Sequence, residues 1–123
     1  MDSSKTYRKM SDHEIIQGKW KPKVGDVFWD KEAQKLQTLI EINAEHPSYP
    51  AMHVDEVWLP RLDDLVEWMK VPFESHVYPL SEYVWVCLVG EEFPAKTYEQ
   101  SLLQAYMWTQ GYKWTGEQWE VHS

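Results

Sequence analysis

The segment Tyr83-Val84-Trp85-Val86-Cys87-Leu88-Val89 is a continuous apolar run of β-branched and aromatic residues that ends at Gly90. It is far too short to span a bilayer, so it reads as a central β-strand covered on both faces. Its cover has to come from elsewhere in the chain. Leu62, Leu65, Val66 and Met69 recur at i, i+3, i+4 and i+7 behind Pro60, which suits a first helical position. Asp63 and Asp64 lie in that first turn, where carboxylates interact favourably with the positive end of the helix dipole. A second stripe, Leu102, Leu103, Tyr106 and Met107, follows a Thr97/Gln100 capping-box pattern and stops at Gly111.

Around this frame the sequence predicts further short elements. Ser11 and Glu14 fit a capping box, so a short helix is expected from Ser11 to Gln17, ended by Gly18. Residues 24–42 fit either a β-hairpin or a helix from Lys31 to Asn43; the β-branched run Thr38 to Ile42 and the short polar connection favour the hairpin. Pro47 and Pro50 place a loop over Ala44 to Glu56, and Pro72 and Pro79 frame another. Tyr112 to Val121 alternates large apolar with polar residues around Gly116, as a small hairpin does. The expected fold is α+β: a small mixed or antiparallel sheet with two main amphipathic helices packed on it. A chain of 123 residues suits one domain, placed at residues 11–123, with residues 1–10 as a flexible tail.

Composition narrows the function. A formal charge of −8 argues against broad contact with nucleic-acid phosphates or anionic lipid. The charge is uneven: residues 1–40 carry eight basic and six acidic side chains, whereas residues 41–123 carry four basic and fourteen acidic. Nucleic-acid binding is therefore unlikely, and would have to use Lys19, Lys21, Lys23, Lys31 and Lys35 in the N-terminal third. One cysteine, Cys87, cannot form an intramolecular disulfide, and no apolar leader or membrane-length run is present, so a cytoplasmic location is expected.

No catalytic signature is present. The five histidines have neither zinc-finger nor HExxH spacing, and no metal or other cofactor is expected. The glycines are dispersed, which excludes a familiar phosphate loop, and no nucleophile motif occurs. Two residue groups stand out as site candidates. Trp58, just ahead of the first main helix, and Trp68 and Trp108, beside rather than within the apolar stripes, could with Arg61 anchor a partner protein. His46, His53, Asp55 and Glu56 cluster along one loop and, with Glu91 at a strand end, would serve a small hydrolase or ligand-binding enzyme. The aromatic excess also allows a homo-oligomer.

The segment Trp58-Leu59-Pro60-Arg61-Leu62-Asp63-Asp64-Leu65, the helix Thr97-Tyr98-Glu99-Gln100-Ser101-Leu102-Leu103 and the terminal Trp114-Thr115-Gly116-Glu117-Gln118-Trp119 resemble small phage- and prophage-encoded proteins that carry WLPRxDxL and WxGExW segments. The resemblance covers residues 57–70 and 97–120. It implies an origin and carries over no functional residue. The expectation is a non-enzymatic accessory protein that binds another protein, in the sharpest form by presenting an acidic surface in place of nucleic acid.

Overall fold

A computed structural model describes residues 2–21, 23–39, 56–69, 74–77, 84–88 and 91–122. The fold is α+β, and every strand pairing among the described residues is antiparallel. The chain groups into two compact units, an N-terminal one of Ser3–Pro60 and a C-terminal one of Arg61–Ser123 with Met1–Asp2.

The N-terminal unit begins with helix α1 (Lys5–Ser11), where the sequence reading has a loose tail. Ser4 caps it by accepting the Tyr7 backbone N–H, and the helix buries Tyr7 and Met10, spaced i and i+3. One apolar pair in two turns is too little periodicity to stand out in the sequence. Helix α2 (Glu14–Gln17) starts at His13, whose Nδ1 accepts the Ile15 N–H. Ser11 is thus the end of α1 and not the cap expected of it.

Three strands, β1 (Val27–Asp30), β2 (Lys35–Thr38) and β3 (Glu56–Trp58), form a sheet in the order β2-β1-β3. The hairpin reading of residues 24–42 holds for β1 and β2. Its turn is organised by Asp30, whose Oδ1 accepts the N–H groups of Glu32 and Ala33 at 3.0 Å each. Gln34 takes the left-handed conformation there, with φ of 55°. Because side chains alternate along a strand, the register separates two faces. Phe28 pairs with Trp58 on one, where Trp20 stacks on Trp58 with 5.7 Å between centroids and only 2° between planes. Trp29 pairs with Val57 on the other.

Buried polar groups in this unit are met by side chains. Gln17 donates to the Trp58 carbonyl and accepts from the Trp58 N–H, both at 2.9 Å, and donates to the Ser11 carbonyl at 2.7 Å. Asp26, 1% exposed, accepts the Trp20 indole N–H and the Lys23 N–H at 2.8 Å each. Tyr7 donates its hydroxyl to the Pro60 carbonyl at 2.7 Å.

The C-terminal unit is built on helix α4 (Tyr98–Thr109), which lies against a second sheet, β4 (Glu74–Val77), β5 (Val84–Leu88) and β6 (Glu91–Ala95). The order β4-β5-β6 makes the apolar run the central strand, as expected. Two strands were not anticipated. Strand β4 falls in the presumed loop between Pro72 and Pro79, and β6 contains Pro94, which an edge strand tolerates because its missing N–H faces away from the ladder. Helix α4 buries Leu102, Leu103, Tyr106 and Met107 as predicted, and also Gln100, Ser101 and Ala105. Helix α3 (Leu62–Trp68) lies against α4. Its stripe is only partly packed: Leu65 is buried, whereas Leu62 and Val66 are 38% and 48% exposed. Pro60 precedes the helix, and Asp64 accepts the Arg61 N–H at 3.0 Å, so the inner end of α3 is set by a carboxylate. The final hairpin, β7 (Tyr112–Trp114) and β8 (Trp119–Val121), turns at Gly116 as the sequence indicates, with φ of 106°.

The N-terminus of α4 is held by Asp2. Thr97, the cap, accepts the Gln100 N–H, while its hydroxyl donates to Asp2 Oδ2 at 2.6 Å. The Gln100 carboxamide donates to the same oxygen at 2.8 Å, and the Asp2 N–H donates to Glu99 Oε2 at 2.9 Å. Asp2→Ala leaves the buried Gln100 amide without this acceptor and is expected to cost about 1–3 kcal/mol in urea denaturation. Gln17→Ala removes both bonds to Trp58 in the other unit and should cost a similar amount, about 1–3 kcal/mol; hydrogen exchange at the Trp58 amide would rise.

Candidate functional site

The polar face of α1 and the outward face of the first sheet enclose a cleft of about 430 Å³. It lies wholly within the N-terminal unit. Helix α1 supplies Lys5, Arg8 and Lys9, which at i, i+3 and i+4 project from one side of the helix with roughly 5–6 Å between Cβ atoms. Strand β1 supplies Trp29, strand β3 supplies the buried Val57 beneath it, and the β1–β2 turn brings Lys31 and Gln34 to the rim. Asp12, the C-cap of α1, closes one end by pairing with Lys31 at 2.8 Å. Both partners are more than 40% exposed, so this pair contributes little stability and serves mainly to tie the turn to the helix.

The central contact is Arg8 on Trp29. The guanidinium carbon stands 3.8 Å from the indole centroid, a cation–π geometry, and Nε donates weakly to the Ser4 carbonyl at 3.4 Å. Stacking fixes the guanidinium plane, and with Nε turned to Ser4 the two Nη groups have no hydrogen-bond partner among the described residues. Lys5 and Lys9 have no ion pair among the described residues. Lys5 sits in the first turn of α1, at the positive end of the dipole, and repels Lys9 at i+4. The placement of Lys5 costs the free helix stability, whereas Arg8 and Lys9 stand in the last turn, where the dipole favours cations. Local rules broken without internal compensation are characteristic of functional sites. With Asp12 engaged by Lys31, the remaining charge is three cations beside an aromatic wall and an apolar floor. The chemistry available is anion binding.

The sequence candidates fare unevenly. Trp58 is 2% exposed and stacked under Trp20, so it is core and cannot anchor a partner. Its position ahead of a helix misled because Trp58 ends a strand whose inward face is set by pairing with Phe28. Trp68 is half-buried against Tyr106, at 5.2 Å between centroids. Trp108 is half-buried between Phe93 and His122; the imidazole stacks on it at 3.8 Å and its Nε2 donates to the Trp108 carbonyl at 2.9 Å. Arg61 is the N-cap of α3. Trp68, Trp108 and Arg61 all belong to the C-terminal unit and Trp58 to the other.

Of the alternative set, His46, His53 and Asp55 lie outside the described residues. Glu56 is half-buried at the start of β3, and Glu91 is exposed at the start of β6. No group of three or more His, Cys, Asp or Glu side chains able to hold a metal occurs among the described residues. Nor is any helix among them long and apolar enough to cross a membrane.

Lys5, Arg8, Lys9, Trp29 and Gln34 were missed. The i, i+3, i+4 spacing of the three cations was readable, but only once residues 5–11 are recognised as helix. Comparison with protein families, curated proteins and solved structures finds no match to this chain.

Replacing Arg8 with alanine uncovers one face of Trp29 and removes the cation–π contact. A loss of about 0.5–1 kcal/mol in stability is expected, with a clear shift of the Trp29 indole N–H resonance; Arg8→Lys should restore less than half of either.

Proposed function

We propose that this chain is a non-enzymatic accessory protein, of the phage- or prophage-encoded kind its WLPRxDxL and WxGExW segments resemble, and that it acts by binding another protein. The observation that carries the binding is the cleft of Lys5, Arg8, Lys9 and Trp29: two lysines with no ion pair among the described residues, beside an arginine stacked on a tryptophan. Such a surface favours an acidic segment of the partner. The charge steers encounter, and the Arg8–Trp29 pair supplies the kind of anchor that dominates interface energetics.

This reading shifts the interaction surface from the tryptophans of the C-terminal unit to the N-terminal third. It also separates two roles for charge. The acidic excess of residues 41–123 favours solubility, and the three α1 cations give the cleft the opposite sign.

The test is capture of a partner by the full-length chain beside the double variant Lys5→Glu/Lys9→Glu. One stoichiometric protein is expected to be held by the wild-type chain, to be lost from the variant, and to bind less tightly as salt rises from about 50 to 500 mM. Capture that survives the double charge reversal, with the variant folded by circular dichroism, would refute the cleft as the binding surface.

A further inference from the structure

The number and placement of the cations say more about the ligand than its sign. We infer that the cleft recognises a phosphoryl group on the partner protein, a phosphorylated serine, threonine or tyrosine, in preference to aspartate or glutamate. The inference rests on the acidic-partner reading above and names the group that anchors it.

A carboxylate carries one charge and two acceptor oxygens. Arg8 alone would satisfy it, as a bidentate partner whose plane is already fixed on Trp29. Lys5 and Lys9 would then still face each other across one turn with no anion between them. A phosphate monoester carries −1.5 to −2 charges near pH 7 and three acceptor oxygens. It can take the Arg8 fork on one edge and both ammonium groups on the other, so that the like-charge repulsion in α1 is removed on binding.

The surroundings agree. Lys31 is held by Asp12 at the far end, which reserves the α1 cations for the ligand and keeps the turn in place. Gln34 on the rim donates its carboxamide N–H to the Lys31 carbonyl at 2.6 Å, which helps hold the turn beside the cleft. Trp29 over Val57 gives an apolar surface for the carbon framework of the modified residue and its neighbours. The anion is held by side chains and not by the start of the helix, where Ser4 already accepts the Tyr7 N–H.

An RNA or DNA strand presents phosphodiesters, each with a single charge, and relies on aromatic faces for stacking. Here one face of Trp29 is covered by Arg8, and Arg8, with its edge free, is better suited to an anion than to a base. The phosphorylated protein segment is therefore the occupant that uses all three α1 cations and the apolar surface beside them.

The test titrates the full-length protein with three probes: a short neutral peptide carrying one phosphoserine, the same peptide with glutamate at that position, and an oligothymidylate of similar length. Binding is followed by calorimetry and by the Trp29 indole N–H resonance, assigned through Trp29→Phe. The phosphopeptide is expected to bind at least about tenfold more tightly than the glutamate peptide, to move the Trp29 resonance, and to lose that advantage in Lys5→Gln/Lys9→Gln. Equal affinity for the two peptides would overturn the phosphoryl inference and leave the acidic-partner reading standing. So would failure of the phosphopeptide to bind while partner capture still depends on Lys5 and Lys9. Tighter binding of oligothymidylate would overturn it in favour of nucleic acid, and capture insensitive to both lysines would remove the acidic-partner reading itself.

Discussion

The carboxamide of Gln17 does for strand β3 what a neighbouring strand would otherwise do. It meets both the N–H and the carbonyl of Trp58, and it holds the Ser11 carbonyl at the end of α1 through the same nitrogen. A unit of fewer than sixty residues has few strands with which to satisfy buried backbone groups. One side chain that joins the edge of the sheet to the helical segment fixes both. Where α1 lies follows from this joint and from the Tyr7 hydroxyl on Pro60, and where α1 lies decides that its cations face Trp29. The C-terminal unit solves the same problem differently, with Asp2 gathering the Thr97 hydroxyl and the Gln100 carboxamide on one oxygen.

The electrostatic arrangement is uneven: of the three cations that converge on the cleft, Arg8 and Lys9 stand in the last turn of α1, where the dipole favours them, and Lys5 stands in the first, where it does not. A lysine at the start of α1 opposes the dipole, and a second lysine one turn on opposes the first. In a chain with a net charge of −8, acidic residues are plentiful and could have neutralised both. Among the described residues the carboxylate that lines the cleft, Asp12, pairs instead with Lys31. Lys5 and Lys9 thus keep their charge without an ion pair among the described residues.

How much of this was legible in the sequence depends on length scale. The run Val84–Leu88, the stripe Leu102, Leu103, Tyr106 and Met107, and the alternation of Tyr112–Val121 each carry several residues of one period, and each became the element expected. Helix α1 and strands β4 and β6 did not show themselves. The first carries one apolar pair, the second is four residues long, and the third contains a proline that only its edge position permits. The site was less legible than the fold because it depends on α1. As a tail, Lys5, Arg8 and Lys9 are three dispersed charges; as a helix they are one surface. Trp58 failed in the opposite direction, since the isolation that made it look like an anchor reflected a strand too short to be seen.

The cross-strand pair Trp114 and Trp119 has a consequence of a different kind. Their rings meet edge to face at 5.0 Å and 60°, close enough and inclined enough for the two indole transition dipoles to couple. Coupled, non-parallel chromophores absorb left and right circularly polarised light unequally, in a signed doublet that either ring alone lacks. The terminal hairpin thus adds an optical signature of its own to the spectrum of a chain with eight tryptophans. That signal requires the β7–β8 register that brings the two rings together, and it adds to whatever the close Trp20–Trp58 pair contributes.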